Sequence, residues 1–146
     1  MGLFDSFINF LGGIPNTIER DTPHFLNVSG ALMEQKAKEY IGEYQPAVGN
    51  LPAWAPLADS TVAEKSRLGY AEDPLLRTGE VRDSITMKTD QHGVTVGSDN
   101  PVAAMLEHGT SKMPPRSFLE RAVLQSEKDI ENEAKRLLEI AFLGRR

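Results

Sequence analysis

The stretch Ile85-Thr86-Met87-Lys88-Thr89-Asp90-Gln91-His92-Gly93-Val94-Thr95-Val96 decides the architecture of this chain. Apolar and polar residues alternate over Ile85–Thr89 and again over Val94–Val96, the two-residue period of a half-buried strand. Asp90-Gln91-His92-Gly93 turns the chain between them, so the segment reads as an antiparallel hairpin with Ile85, Met87, Val94 and Val96 facing inward. Downstream, Asp99-Asn100-Pro101 reads as the cap of a short helix carrying Val102, Ala103, Met105 and Leu106, ended by Gly109. A last helix starts near Ser117, with Leu119, Val123, Ile130, Ala134, Leu137 and Ala141 as its apolar stripe, widened by Leu138 and Phe142.

Upstream, Phe4, Phe7, Ile8 and Leu11 recur at helical spacing, and Gly12-Gly13 is expected to end that segment. Thr22-Pro23 reads as a cap followed by proline at the first helical position, opening a helix that runs to about Tyr44. Met33, Ala37, Tyr40, Ile41 and Tyr44 form its apolar stripe, and Glu34 and Lys38 can pair on the wetter side. Pro46, Gly49, Asn50 and Pro52 mark a loop, and Asp59 or Ser60 can cap a short helix ending at Arg67. The expected organisation is one domain over 1–146: an N-terminal arm or short helix (1–22), a helix (23–44), an α+β core (54–116) and a C-terminal helix (117–143). The fold class is α+β, a small antiparallel sheet with a hairpin packed against a long helix of the N-terminal half and a long C-terminal helix. The hairpin and the last helix are expected to share a core.

The connection Gly109-Thr110-Ser111-Lys112-Met113-Pro114-Pro115-Arg116-Ser117-Phe118-Leu119 carries two adjacent prolines, which fix φ and lack amide donors, so it reads as extended and stiff. Lys112 and Arg116 give it positive charge, and Phe118 and Leu119 anchor it. We expect Lys112, Met113, Pro114, Pro115 and Arg116 to contact a partner rather than support the fold. The aperiodic Gly69-Tyr70-Ala71-Glu72-Asp73-Pro74 is the expected mobile loop, with Tyr70, Glu72 and Asp73 ordering at an assembly contact. Expected structural anchors are Trp54, Leu57, Thr78, Gly79, Ile85, Val94, Val96, Gly109, Phe118 and Leu119.

Composition narrows the chemistry. A chain of 146 residues with 40% hydrophobic and 25% charged residues has the make-up of an ordinary soluble globular domain. The formal net charge of -5 argues against nonspecific nucleic-acid binding over the whole surface, which needs clustered cations. With no cysteine there can be no disulfide, thiolate nucleophile or cysteine-held zinc. No apolar run approaches the roughly 20 residues of a spanning helix. The start, Met1-Gly2-Leu3-Phe4-Asp5-Ser6-Phe7, lacks the basic opening of a secretion signal, so an intracellular location is expected. Gly2 with Ser6 matches only the minimal myristoylation pattern. His24, His92 and His108 have no metal-ligand spacing. Thr78-Gly79-Glu80 is no phosphate loop, and Glu80, Asp83 and Glu107 form no specific acid pair. The expectation is a protein that is not an enzyme and uses no metal or cofactor.

Several segments then occur in a telling order: Trp54 to Leu57, Thr61, Lys65, Leu75-Leu76-Arg77-Thr78-Gly79-Glu80-Val81-Arg82-Asp83-Ser84-Ile85, and Gly93-Val94-Thr95-Val96-Gly97. Glu107-His108-Gly109-Thr110 and Met113-Pro114-Pro115-Arg116-Ser117-Phe118-Leu119 follow. Over roughly Trp54 to Val123 the chain resembles a tailed-phage superfamily of tail-completion or neck proteins and Mu-like virion morphogenesis proteins. Ser117 between Arg116 and Phe118, and Val102 and Ala103 where some members carry an aromatic, depart from the pattern and leave the branch open. The resemblance implies a noncatalytic subunit of a cyclic, often sixfold ring around the DNA channel, at the head-proximal tail. Implied partners are further copies of itself, a tail tube or tail terminator protein, and a head connector or stopper protein. DNA would pass through the lumen without specific binding, no membrane would be involved, and the host cytoplasm would hold the chain before it enters the virion. The alternatives are a phage-encoded module that binds a host protein or regulator and, third, a small tail-associated hydrolase.

Overall fold

The computed structural model describes the backbone of residues 3–91 and 93–144, and side chains from residue 18 onward except at 92. The expectations for the Phe4, Phe7, Ile8 and Leu11 face, for Gly2 with Ser6, for His92 and for the Arg145-Arg146 tail lie outside the described residues. Seven elements follow in order: α1 (Leu3–Tyr40), α2 (Asp59–Leu68), α3 (Glu80–Ser84), β1 (Ile85–Thr89), β2 (Val94–Ser98), α4 (Pro101–His108) and α5 (Leu119–Leu143). The two strands form an antiparallel sheet that packs, like α5, against α1.

Helix α1 corrects the expected break. It runs without interruption through Gly12-Gly13 and Pro23 for 38 residues and stops at Tyr40, not Tyr44. At 1.5 Å per residue it is about 57 Å long. A mid-helix proline costs about 3 kcal/mol and a glycine about 1 kcal/mol, and a helix packed against both a sheet and a second helix can absorb such local costs. Beside Pro23, the Thr22 hydroxyl donates to the Ile18 carbonyl. The inward face is Ser29, Gly30, Met33, Ala37 and Tyr40, continued by Ile41 just beyond the helix. Most of the expected stripe is thus in place, but Tyr44 is 50% exposed and its hydroxyl accepts from the Leu57 amide.

The hairpin has the expected inward set. Ile85 is fully buried and Met87, Val94 and Val96 are half-buried, with Ile85 opposite Ser98, Met87 opposite Val96 and Thr89 opposite Val94. Two further bonds set which groups point across the pair. The Asp90 amide donates to the Gly93 carbonyl at 3.0 Å, whereas the Met87 amide donates outward to Glu34 Oε2 on α1, also at 3.0 Å. Hydrogen-bonded and non-hydrogen-bonded pairs alternate in an antiparallel ladder, so Met87–Val96 is a non-hydrogen-bonded pair. The backbone groups of Val94, Val96 and Ser98 therefore face away from β1.

The core unites Ala37, Tyr40, Ile41, Trp54, Ile85, Ala103, Phe118 and Ala122, with Val96, Leu106 and Leu119 packed against it. The hairpin and α5 share it only at the start of α5; beyond that point each lies on its own side of α1. This limits the expected common core, and Val123, placed on the expected stripe, is 50% exposed. The inward face of α5 is Arg121, Ala122 and Ser126, followed by half-buried Ile130, Ala134, Leu137 and Ala141. Ser29 and Ser126 are buried with hydroxyls that have no partner among the described residues.

Gly30 is the point where the sheet touches α1. A Cβ there would lie 2.6 Å from both Met87 Sδ and Val94 Cγ2. Gly30→Val is therefore expected to destabilise the fold by about 2 kcal/mol through overpacking, read as a lower urea midpoint with an unchanged slope; an unaltered midpoint would mean that the hairpin does not seat here.

Candidate assembly surface

Long stretches of this chain are neither helix nor strand, and their carbonyls need donors if they are to be covered. Three buried cations supply them. Lys65, on α2, is 7% exposed and its Nζ donates to the carbonyls of Asp73, at 2.5 Å, and Leu76, at 2.9 Å. Arg116 is 4% exposed and donates to the Ala55 carbonyl from Nε (3.2 Å) and Nη2 (2.9 Å), and to the Pro56 carbonyl from Nη2 (2.9 Å). Arg121 is wholly buried; it donates to the carbonyls of Pro46, Pro52 and Ser117 and lies 5.8 Å from the centre of the Trp54 ring. Burial pushes the Lys65 ammonium below its ordinary range, against the raising influence of Asp73. Burial also lowers the Arg121 pKa, with Tyr40 and Glu107 acting in the opposite direction.

A carboxylate closes the frame. Phe118 caps α5 without a side-chain bond of its own, so the first amides of that helix need an acceptor from elsewhere. Glu107, near the end of α4, provides it: Oε2 accepts from the amides of Phe118 (2.8 Å) and Leu119 (2.9 Å), while Oε1 accepts from the Glu120 amide (3.0 Å) and the Ser117 hydroxyl (2.6 Å). The negative charge also complements the positive end of the helix dipole. Between Glu107 and α5 the chain must reverse tightly. Gly109 sits at φ 73, ψ 175, a region essentially reserved for glycine, and a Cβ there would come within 2.7 Å of the Pro115 nitrogen. Thr110 and Met113 form a small bridge, and the Arg116 amide donates to the Leu106 carbonyl at 2.8 Å.

The face of this frame is an open groove of about 690 Å³. Leu57 and Lys65 line one side, Tyr70 and the Leu75–Val81 segment another, Val102 and Leu106 a third, and Lys112, Met113, Pro114 and Arg116 a fourth. Leu75 has a left-handed φ of 62°, uncommon for a residue with a side chain. Arg77 lies 5.0 Å from the centre of the Tyr70 ring and pairs with Glu64 at 2.8 Å.

The expected contact residues divide. Lys112, Pro114 and Pro115 are exposed and Met113 is half-buried, whereas Arg116 is turned inward and bound to the loop of Ala55 and Pro56. The expectation that Arg116 contacts a partner rather than supports the fold is therefore corrected: its three hydrogen bonds to the two carbonyls of Ala55 and Pro56 instead make it a brace of the arm. The Gly69–Pro74 segment is also tied down at both ends. The Tyr70 amide donates to the Lys65 carbonyl, Lys65 holds the Asp73 carbonyl, and Pro74 is buried with its carbonyl accepting from Gly42. Tyr70 reaches the groove; Glu72 and Asp73 are exposed but do not line it.

Among the expected anchors, Trp54 is buried and donates from Nε1 to the Ser117 carbonyl at 3.3 Å. Ile85 and Phe118 are fully buried, Leu57, Val94, Val96 and Leu119 are half-buried, and Gly79 caps α3 at φ 87. Thr78 is exposed, and its hydroxyl accepts weakly from the Glu80 amide at 3.5 Å. Helix α4 is capped as expected, the Asn100 side chain accepting from the Val102 amide at 2.9 Å. Helix α2 differs: Ala58 occupies its cap, and neither Asp59 nor Ser60 does. Lys65 and Glu107 belong to the segments that carry the family resemblance, but the sequence pattern assigns neither of them a role in the frame, and it does not single out Arg121 at all. A charged side chain that will be buried against loop carbonyls looks locally like any surface charge.

Glu107→Gln replaces an acceptor oxygen by a donor amide facing other donors, and is expected to cost about 2–3 kcal/mol. Arg116→Glu should cost about 3–5 kcal/mol by burying an unpaired acid against carbonyls, while exposed Lys112→Glu should stay within about 0.5 kcal/mol of the parent. Denaturant midpoints of the three variants check this order, and equal midpoints for Arg116→Glu and Lys112→Glu would contradict the bracing role.

Among the described residues no helix is long and apolar enough to cross a membrane, and no cluster of His, Asp or Glu could hold a metal ion. No curated protein and no solved structure matches this chain. Residues 5–140 match the phage virion morphogenesis family. That match takes in α1, the hairpin, the braced arm and nearly all of α5, and the chain accordingly belongs to the phage virion morphogenesis family, as a noncatalytic structural protein of phage assembly.

Proposed function

We propose that this chain completes the phage tail or joins it to the head connector, as one subunit of a closed ring around the DNA channel. Its partners in this reading are further copies of itself, a tail tube or tail terminator protein on one side, and a head connector or stopper protein on the other. The observation that carries the reading is the arm: Lys112, Met113 and Pro114 lie along a groove, held by Gly109 and the double proline and braced from behind by Arg116. A segment already fixed in its binding shape loses little conformational entropy on docking, which suits a joint made once and kept. A closed ring reuses one heterologous contact between neighbours, and a groove on one face is the kind of surface such a contact needs. The net charge of -5 favours a lumen that lets DNA slide without gripping it.

The test is a phage or prophage deleted for this gene. Its lysates should contain heads and tails that do not join, and purified protein added back should restore infectivity. Met113→Asp with Lys112→Glu should leave the fold intact and reduce restored infectivity roughly tenfold or more, the effect of about 1.4 kcal/mol lost at docking. Infectious particles formed without the protein, or purified virions that lack it, would overturn the reading.

A further inference from the structure

The outer edge of β2 has no covering strand. The hairpin's hydrogen-bond alternation turns the backbone N–H and C=O groups of Val94, Val96 and Ser98 away from β1, and no backbone bond reaches them from elsewhere among the described residues. The opposite edge is different. On β1 the Glu34 carboxylate takes the Met87 amide at 3.0 Å, and the Thr89 hydroxyl meets the Asn27 side chain at 3.4 Å, both from α1. Free edges are normally blunted by a charge, a proline or a bulge. Val94-Thr95-Val96-Gly97-Ser98 contains no charge and no proline, and its register with β1 is continuous.

We propose that this edge pairs with the same edge of a second copy of the chain, antiparallel, about a twofold axis at Val96. The occupant follows from the two edges. Since α1 sets the Glu34 carboxylate on the Met87 amide at the edge of β1, the uncharged edge that a second copy can offer is its own β2. The register that uses every outward group sets Val96 opposite Val96 of the partner subunit and Val94 opposite Ser98 of the partner subunit, all as hydrogen-bonded pairs. Thr95 then lies opposite Gly97 of the partner subunit. No like charges meet, and nothing in the subunit lies within 4 Å of a Cβ built at Gly97, so the flanking face is open. The product is a four-stranded sheet with β1 at both ends, each end carrying the Glu34 carboxylate of α1 on its Met87 amide. A lone hairpin is a marginal sheet, and additional strands stabilise it. The pairing is independent of the chain's place in the virion.

The experiment reads dimer formation by sedimentation equilibrium on the full chain, with amide exchange at Val94 and Val96. The wild type should dimerise with rising concentration, and both amides should gain protection in step. Thr95→Glu with Gly97→Glu places carboxylates directly opposite each other twice across the axis, and should raise the dissociation constant about tenfold or more. Thr95→Glu with Gly97→Lys places opposite charges there instead, and should bring it back to within a few-fold of wild type at low salt. Both positions lie off the α1 face, so unchanged melting curves verify that the variants fold. A chain that stays monomeric with both amides exchanging freely overturns the proposal, and so does a dimer whose dissociation constant is the same in both charge variants. Loss of virion joining with β2 pairing intact would count against the tail-joining role alone.

Discussion

Buried cations, more than apolar side chains, organise the irregular part of this molecule. Lys65, Arg116 and Arg121 each turn inward and donate to loop carbonyls: Lys65 to the nearby Asp73 and Leu76, Arg116 to the distant Ala55 and Pro56, and Arg121 to the distant Pro46 and Pro52. A loop that packs on a core must satisfy its own backbone, and these loops do so with side-chain donors in place of a sheet ladder. Long side chains suit the task, because their methylene stems pack among apolar neighbours while the charged end reaches the acceptors. The desolvation that lowers the Lys65 and Arg121 pKa values is the cost of this arrangement. It is offset only where several acceptors converge on one cation.

Helix α1 is the second organiser. It gives one side to the hairpin and another to α5, and it does so with small residues: Gly30 under the sheet, and Ser29 and Ala37 on the buried face. Two buried serine hydroxyls, on α1 and α5, have no partner among the described residues. Each forgoes a hydrogen bond that is worth about 1 kcal/mol, so small volume outweighs polarity at these positions. Glu34 serves the same platform from its rim, pairing with Lys38 and taking the Met87 amide of the adjacent strand.

The polar residues around the arm have a mechanical meaning. Glu107 fastens the end of α4 to the start of α5, Gly109 makes the reversal possible, and Arg116 ties the arm to the loop behind it. In the frame behind the groove, the charged groups of Lys65, Glu107 and Arg116 are occupied with backbone. In the proposed role, stiffness of this kind would let the contact surface exist before the contact is made.

Local pattern determined much of this fold. The alternation of Ile85–Thr89 and Val94–Val96 specified strands and faces, because a two-residue period has only one consistent burial. The helical periods of Met33 to Ile41 and of the C-terminal segment specified two long amphipathic helices, and Asn100-Pro101 specified a cap, since each depends on neighbours in sequence. Tertiary structure decided the rest. Pro23 and Gly12-Gly13 carry strong local signals against a helix, yet α1 passes through them, because a helix held by a sheet and a second helix is not governed by propensity alone. Val123 fits the helical stripe but faces outward, since α5 meets α1 along Ala122 and Ser126. Arg116 reads as an exposed charge until Ala55 and Pro56, about 60 residues earlier, supply its acceptors. A side chain's chemistry is written in the sequence, but whether it meets water or a distant carbonyl depends on which segments the fold brings within hydrogen-bonding distance.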